Sequence, residues 1–136
     1  LHRHLKPKKH SVFVECSDDI KFYTNPGAIS QILTNLIINA LIHAFEAKEK
    51  GIITIRVTQE DEIITLHFED NGKGIPKENL SKIFDPFFTT KLGVGGSGLG
   101  LNIIYNIVTS QLQGTIQCES TEGKGTIFTI AFTATV

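Results

Sequence analysis

The sequence predicts an α+β protein, a two-layer α/β sandwich in which a mixed, mainly antiparallel sheet of about five strands carries about three helices on one face. Three observations support this fold class. Alternating apolar and polar residues form one pair of runs in the middle of the chain and a second pair near its end, and amphipathic helical patterns lie before the first pair and between the two pairs. The expected order is strand, helix, hairpin, short helix, glycine-rich segment, helix and hairpin.

A first strand is predicted over residues 11–16, followed by a helix. Asn25 is a candidate N-cap, and Pro26 suits the first helical position. The helix is expected to run to about Phe45 or Ala47. Its predicted core stripe keeps the i, i+3, i+4 spacing and consists of Ile29, Leu33, Leu36, Ile37, Ala40 and Ala44.

A second stripe on the same helix is polar but uncharged. Its members lie four residues apart and therefore share one helix face: Gln31, Asn35, Asn39 and His43. Solvated helix faces are usually rich in charged residues, and this face carries no charge before Glu46. We therefore interpret the stripe as facing a ligand, with a solvated back face as the alternative.

Two hairpins are predicted after this helix. The first joins runs 53–58 and 64–69, and the second joins runs 114–119 and 126–133. Each run alternates apolar with polar residues, which predicts one buried face per hairpin. A short helix over 77–83 and a longer one over 98–112 are expected between them.

The composition excludes several classes of function. With 136 residues and a formal net charge of −1, the chain fits a single domain without the basic surface that nucleic acids require. No apolar run reaches membrane-spanning length, and the domain is expected to be cytoplasmic. Cys16 and Cys118 are expected to be reduced, buried thiols, which is the default in a cytosolic setting, and no CxxC or Cys/His spacing indicates zinc.

The residues from Gly93 to Leu101 include five glycines and lead directly into a helical pattern. Ordering glycine is entropically costly, and its usual benefit is exposed backbone N–H groups at a helix start, where they bind an anion. A phosphate-bearing ligand is the first hypothesis, with a flexible connector as the alternative. A dinucleotide fold is excluded because no strand precedes Gly93, and no Walker pattern exists.

Two further segments precede this glycine-rich region. Asp70 is followed by Gly72 and Gly74, which allow a tight turn and let a flat ligand lie against the backbone, although a plain turn into the short helix is equally compatible. The segment 83–92 combines phenylalanine anchors with Thr89, Thr90 and Lys91, which are donors compatible with phosphate. An anchored hinge before a glycine-rich segment is typical of a lid.

Together, these segments resemble the ATP-binding catalytic (HATPase) domain of sensor histidine kinases, in the GHKL superfamily with its Bergerat fold. Residues 35–40 look like the N box, 70–75 like the G1 box, 83–91 like the F box and 95–101 like the G2 box. Gly125-Thr126-Ile127-Phe128 resembles a late motif of the family. The resemblance covers residues 11–133, and it implies the same two-layer fold.

For the ligand, the resemblance implies ATP with Mg²⁺. Asp70 would accept a hydrogen bond from the adenine amino group, Thr126 would assist through a water molecule, and Gly72 and Gly74 would admit the purine. The other residues implied to contact the nucleotide are Asn35, Asn39, His43, Ile75, Phe84, Thr89, Thr90, Lys91, Gly95, Gly96, Ser97, Gly98, Leu99, Gly100 and Leu101.

For catalysis, the resemblance implies four residues. Asn39 would ligate Mg²⁺ through its amide oxygen with Asn35 in support, since Mg²⁺ prefers hard oxygen ligands. His43 and Lys91 would lie near the phosphates. Many family members carry Lys or Arg three residues after the second Asn, where this chain has Ile42.

The identity of residue 35 indicates which reaction is favoured. ATPases and serine kinases of the superfamily usually have a glutamate there as general base, whereas Asn35 cannot take a proton. A neutral imidazole is already nucleophilic and needs no such base. The resemblance therefore implies phosphoryl transfer to a histidine, with slow ATP hydrolysis.

The resemblance also implies what lies outside this chain. Residues 1–10 are expected to be a loose end joining the catalytic domain, residues 11–136, to a dimerisation and phosphoacceptor domain. Expected partners are that domain and a response regulator receiver domain, in a homodimeric protein of two-component signal transduction that can be anchored in the bacterial inner membrane. The alternatives are a regulatory nucleotide-binding module without transfer activity, and a GHKL ATPase or serine kinase.

Overall fold

A computed structural model describes residues 10–21, 24–45, 50–86 and 100–134. Five strands form one sheet in the order β1-β2-β3-β5-β4, where β1 runs parallel to β2 and all other neighbours are antiparallel. The predicted mixed sheet is confirmed. The strands are β1 (Ser11–Cys16), β2 (Ile52–Glu60), β3 (Ile63–Asp70), β4 (Thr115–Thr121) and β5 (Gly125–Thr133).

Two α-helices lie in the described part of the chain, and each ends in a π-helical turn. Helix α1 (Pro26–Asn39) continues into Ala40–Ala44, and α2 (Gly100–Asn106) continues into Ile107–Gln111. The side chain of Asn25 accepts a hydrogen bond from the Gly27 N–H at 2.8 Å, which confirms the predicted N-cap. The short helix expected over 77–83 is only a 3₁₀ turn over Lys77–Asn79.

The core lies between one face of the sheet and the two helices. Strand register pairs Leu66 with Ile130 and Phe68 with Phe128 across β3 and β5, and all four side chains are buried. This is the buried face that the alternating runs predicted, because successive strand residues point to opposite faces.

The predicted core stripe of α1 is only partly correct. Leu36 and Ala40 are buried as expected, but the other buried residues of the helix are Ala28 and Ile32. The remaining predicted members are half-buried: Ile29, Leu33, Ile37 and Ala44. Apolar residues occupy two adjacent stripes of α1, and periodicity alone does not decide which of the two is buried.

The expectation that no segment reaches membrane-spanning length does not hold for this helix. Pro26–Ala44 is 19 residues long with a mean hydropathy of 1.3, which suffices for a span by length and composition. In the structure the helix buries Ala28, Ile32 and Leu36 in the core of the sandwich. A core helix passes the same test of length and composition.

The two cysteines differ in their surroundings. Cys16 is exposed, so its predicted burial is wrong, because β1 is an edge strand that is exposed along its whole length. Cys118 in β4 is half-buried. Since β1 and β4 are the two outermost strands, the thiols lie at opposite edges of the sheet and stay unpaired.

Replacing Leu36 by alanine is expected to reduce the free energy of unfolding by about 2–5 kcal/mol, because it empties a fully buried site. Leu36 is 1% exposed, whereas Leu41 in the same continuous helix is 42% exposed. The matched change Leu41→Ala is therefore expected to cost less than about 0.5 kcal/mol. Urea unfolding of both variants measures the difference, and equal losses would contradict the predicted position of the core.

Candidate functional site

A cavity of about 500 Å³ opens between the end of α1, the loop after β3 and the turn between β4 and β5. Its size is in the range of small-molecule sites. Its lining combines apolar side chains with a few polar and charged groups. The lining residues are Asn39, His43, Ala44, Asp70, Lys73, Gly74, Ile75, Pro76, Asn79, Ile83, Leu101, Glu122, Gly123, Thr126 and Phe128.

Asp70 is a carboxylate at the end of an apolar row. Strand alternation puts it on the same face of β3 as Leu66 and Phe68, and the register pairs it with Ile53 on β2 and Thr126 on β5. It is 5% exposed. The strand alternation that buries Leu66 and Phe68 in the core thus also places the Asp70 carboxylate in the wall of the cavity.

Burial raises the pKa of the Asp70 carboxyl above its ordinary value of 3.8, and the charge of Glu69 adds to the effect. Backbone N–H groups of Gly72 and Thr126 donate to the carboxyl and lower its pKa in part. The Gly72 bond measures 2.8 Å to Oδ1. In its ionised form, the group presents only acceptor atoms to the cavity.

The loop after β3 is fixed by hydrogen bonds to three separate elements. Toward β2, the Ile52 N–H donates to Asn71 Oδ1 at 2.7 Å. Toward the end of α1, the Lys73 N–H donates to the Ala44 carbonyl at 3.0 Å. Toward the β4–β5 turn, the Gly123 N–H donates to the Lys73 carbonyl at 2.7 Å. The cavity wall is therefore held in place by the protein itself.

The two glycines of this loop are required by packing inside the protein. A Cβ on Gly72 would lie 2.5 Å from the Ala44 carbonyl oxygen. Gly74 has a φ of +77°, and a Cβ there would lie 2.2 Å from the Thr121 carbonyl oxygen. Gly74 also lines the cavity, whereas Gly72 lies behind Ala44.

The π-helical turn at the end of α1 brings three residues to the cavity. It closes through the Phe45 N–H and the Ala40 carbonyl at 2.9 Å, a bond between residues five apart. In a regular α-helix, Ala44 would point about 140° away from Asn39. Here Asn39, His43 and Ala44 all line the cavity.

The structure brings together seven of the residues predicted for the site: Asn39, His43, Asp70, Gly74, Ile75, Leu101 and Thr126. Four described residues predicted for the site do not line the cavity: Asn35, Gly72, Phe84 and Gly100. The remaining candidates lie outside the described residues: Thr89, Thr90, Lys91, Gly95, Gly96, Ser97, Gly98 and Leu99.

Phe84 supports the cavity wall from behind. Its ring packs against Phe128, which lines the cavity, and against Tyr105 of α2, with centroid separations of 6.3 and 5.5 Å. The Asn102 amide donates to the Phe84 carbonyl at 2.9 Å. The start of α2 is thereby fixed against the segment that follows the 3₁₀ turn.

Several lining residues were missed by the sequence reasoning: Ala44, Lys73, Pro76, Asn79, Ile83, Glu122, Gly123 and Phe128. Lys73 lies within the Asp70–Ile75 motif and Phe128 within the late motif, so their positions in these motifs could have indicated that they line the site. Glu122 and Gly123 carried none, because only the sheet order brings the β4–β5 turn beside the end of β3.

Cys118 adds no reactive group near this site. Burial raises the pKa of its thiol to about 12, and the charges of Asp70 and Glu119 add to the effect. Since the thiolate is the nucleophilic form, a thiol with such a pKa is inert at neutral pH.

Replacing Asp70 by asparagine is expected to stabilise the ligand-free domain at pH 8. Because the folded-state pKa is raised, the folded protein binds more protons than the unfolded chain between that pKa and the ordinary value of 3.8. The free energy of unfolding of the wild type therefore falls as the pH rises through this window. The variant has no carboxyl group at this position to ionise, so its stability does not fall for this reason. Urea unfolding at several pH values measures the gain, which should vanish toward pH 4.

The exposed Asp18→Asn variant is the matched control for this comparison and should show no such gain. A variant at Asp70 that is less stable than the wild type at pH 8 would mean that the N–H bonds of the carboxylate outweigh its burial.

The sequence of this chain is similar to those of known bacterial kinases. The chain is 42% identical over 106 residues to sensor histidine kinase ZraS of Escherichia coli K12, covering 78% of this chain and 22% of that protein. It is 33% identical over 126 residues to sporulation kinase A of Bacillus subtilis, covering 90% of this chain and 20% of that protein. The chain thus spans about a fifth of the length of these relatives.

Solved structures of histidine kinase catalytic domains have the same fold as this chain. The nucleotide-free catalytic domain of histidine kinase ThkA superposes with a TM-score of 0.77 at 32% identity, covering 96% of this chain and 82% of that one. The sequence model of one family, described as histidine kinase-, DNA gyrase B- and HSP90-like ATPase, matches residues 24–136. With the fold and the cavity in agreement, the chain belongs to this family of ATPase domains.

Proposed function

We propose that the chain is the ATP-binding catalytic domain of a two-component sensor histidine kinase. In this role it transfers the γ-phosphoryl group of ATP to a histidine on a separate dimerisation domain. The observation that carries the proposal is the buried Asp70 carboxylate at the inner end of a ligand-sized cavity, in a chain of this ATPase family. The relatives named sensor histidine kinases support the choice within the family.

The nucleobase end of the site is the region around Asp70. Its carboxylate would accept a hydrogen bond from the exocyclic amino group of adenine. Guanine has a carbonyl oxygen at that position, which would face the carboxylate without a proton between them. Sites built around one such hydrogen bond discriminate strongly against ligands that cannot make it. Ile83, Leu101 and Phe128 supply apolar lining for the purine.

The phosphate end of the site would include Asn39 and His43. An amide oxygen suits Mg²⁺, and the described residues contain no group of three or more His, Cys, Asp or Glu side chains that could hold a metal. This fits an ion held mainly by phosphates and water, with Asn39 as protein ligand. When bound, Mg²⁺ neutralises phosphate charge. Asn35 lies one turn earlier as its proposed support, and Lys91 remains a proposed phosphate contact.

The proposed transfer needs no protein base. The neutral imidazole nitrogen of the acceptor attacks the γ-phosphorus, the bond to the bridging oxygen breaks, and ADP leaves. Asn35 could not activate water or a hydroxyl group, since an amide takes up no proton at neutral pH. The chain would act by orienting ATP toward the acceptor.

The domain boundaries remain part of the proposal. Residues 11–136 form the proposed catalytic domain, and residues 1–10 its junction with the phosphoacceptor domain. Residues 1–9 lie outside the described part, but His10 is packed against the domain: its Nδ1 accepts from the Gly51 N–H at 2.7 Å, and its ring stacks on Phe45 at 4.7 Å. The proposed partners are the dimerisation domain and a receiver domain, in the cytoplasm.

ATP binding by calorimetry, with and without Mg²⁺, is the first test. The wild type is expected to bind ATP more tightly than GTP. Asp70→Asn is expected to weaken ATP binding about tenfold to a hundredfold, the effect of one hydrogen bond to a charged group. The exposed Asp18→Asn variant should bind like the wild type. Equal ATP affinities of the wild type and Asp70→Asn would contradict the proposed position of adenine.

Phosphoryl transfer separates the proposal from its alternatives. With radiolabelled ATP and the dimerisation domain of the same kinase, the chain is expected to produce acid-labile phosphohistidine. Binding without any labelled histidine would indicate a regulatory nucleotide-binding module. Steady ATP turnover without an acceptor would indicate an ATPase.

A further inference from the structure

His10 lies directly before β1 and does not line the cavity. Two contacts hold its half-buried imidazole. Nδ1 accepts a hydrogen bond from the Gly51 N–H at 2.7 Å, and the ring stacks on Phe45 with a centroid separation of 4.7 Å and an angle of 27° between the ring planes. The Ser11 N–H donates to the Gly51 carbonyl at 2.9 Å, so both backbone groups of Gly51 bind the segment that enters β1.

The hydrogen bond to Gly51 fixes the tautomer and the orientation of the His10 ring. Because Nδ1 accepts, the proton of the neutral imidazole is on Nε2. Nε2 is buried and has no hydrogen-bond partner among the residues that the structure describes. A buried donor without a partner is unfavourable, so hydrogen bonding alone does not explain the ring. The remaining contribution of His10 is the ring face that it places on Phe45.

Phe45 is fully buried at the end of the π-helical turn that follows α1. Its ring lies directly on the Gly51 backbone, since a Cβ on Gly51 would lie 2.5 Å from the ring. The His10 ring covers Phe45 as a second neighbour. The Phe45 N–H closes the π-helical turn on the Ala40 carbonyl at 2.9 Å. Because the ring and this N–H belong to one residue, a movement of the ring affects the bond that closes the turn.

The turn that Phe45 closes carries the residues of the proposed phosphate end. Asn39 precedes the turn, His43 and Ala44 lie within it, and all three line the cavity. π-Helical turns are rare and are frequent at functional sites. Loss of the closing bond would allow regular α-helical geometry, in which Ala44 points away from Asn39. The contacts of Phe45 therefore bear on the shape of this end of the cavity.

The nucleobase end of the cavity has separate supports. Asp70 is held by the register of β3 with β2 and β5 and by the Gly72 N–H. None of these contacts involves His10 or Phe45. A change at His10 is therefore expected to act mainly on the phosphate end.

We propose that His10 is a positioning residue whose ring holds Phe45 and thereby fixes the π-helical turn that presents Asn39 and His43 to the phosphates of ATP. The inference rests on the proposed ATP-binding function and goes beyond it, because His10 itself touches no part of the cavity. When such a turn samples other conformations, the apparent affinity for the ligand falls with the fraction of molecules that keep the competent one.

The test compares ATP in the presence of Mg²⁺ with adenosine, which has no phosphates and would occupy only the nucleobase end. Calorimetry measures the dissociation constant of ATP and an NMR titration that of adenosine, at a temperature where urea unfolding shows each variant to be folded. His10→Ala is expected to weaken ATP binding about threefold to tenfold, the effect of one aromatic pair. Adenosine should bind to this variant as it binds to the wild type.

Two further variants of His10 separate the ring from its hydrogen bond. His10→Phe keeps a ring on Phe45 but has no acceptor for the Gly51 N–H, and it should retain most of the ATP affinity. His10→Asn keeps an acceptor near the position of Nδ1 but has no ring, and it should behave like His10→Ala. If His10→Ala does not fold, His10→Leu fills more of the space without an aromatic face, and it should show the same selective loss.

A double-variant cycle tests whether Phe45 transmits the effect. In the Phe45→Leu background, His10→Ala is expected to cause no further loss of ATP affinity, because the ring pair is already absent. His67→Ala is the matched control, since His67 lies on β3 and does not line the cavity. This variant should bind ATP like the wild type.

Equal weakening of ATP and adenosine by His10→Ala would overturn the inference, since it would indicate a general loss of structure. So would an ATP affinity of His10→Phe as low as that of His10→Ala, or an undiminished effect in the Phe45→Leu background. If the wild type binds ATP and His10→Ala binds it equally well, only the inference fails. If the wild type binds neither ATP nor adenosine, the proposed function fails, and the inference fails with it.

Discussion

The buried carboxylate of Asp70 is the constraint on which the rest of the site depends. A charge with 5% exposure is unfavourable, as its raised pKa shows, and it is tolerated because backbone N–H groups of Gly72 and Thr126 donate to it. Both donors must hold their positions whether or not a ligand is bound. The tight loop after β3 and the β3–β5 register fulfil this requirement.

The loop after β3 shows how the fold converts local turns into a preformed site. Its backbone is tied to β2, to the end of α1 and to the β4–β5 turn, and its glycines leave room for neighbouring carbonyl groups. A wall that is already ordered loses little conformational freedom on binding. Selectivity can then rest on a few polar groups of the wall, Asp70 and Thr126 among them.

The π-helical turn at the end of α1 serves the other end of the cavity. It aligns Asn39 with His43 and Ala44, where a regular helix would turn Ala44 away. Asn39 and His43 bring an amide and an imidazole to this end of the cavity, and Asn35 stands one helical turn earlier. In the proposed function, this set would orient a phosphate and a cation.

The sequence by itself determined the fold class, the strand alternation that ends in Asp70, the Asn25 cap and the helical spacing of Asn39 and His43, because these follow from local periodicity and turn chemistry. Only the tertiary structure decided which stripe of α1 is buried, and that Phe84 supports the cavity wall while Gly72 packs against Ala44. It also decided the contacts of Lys73 with Gly123 and of Ile75 with Ser120. These bonds join residues distant in sequence and depend on the strand order β3-β5-β4, which no local pattern encodes.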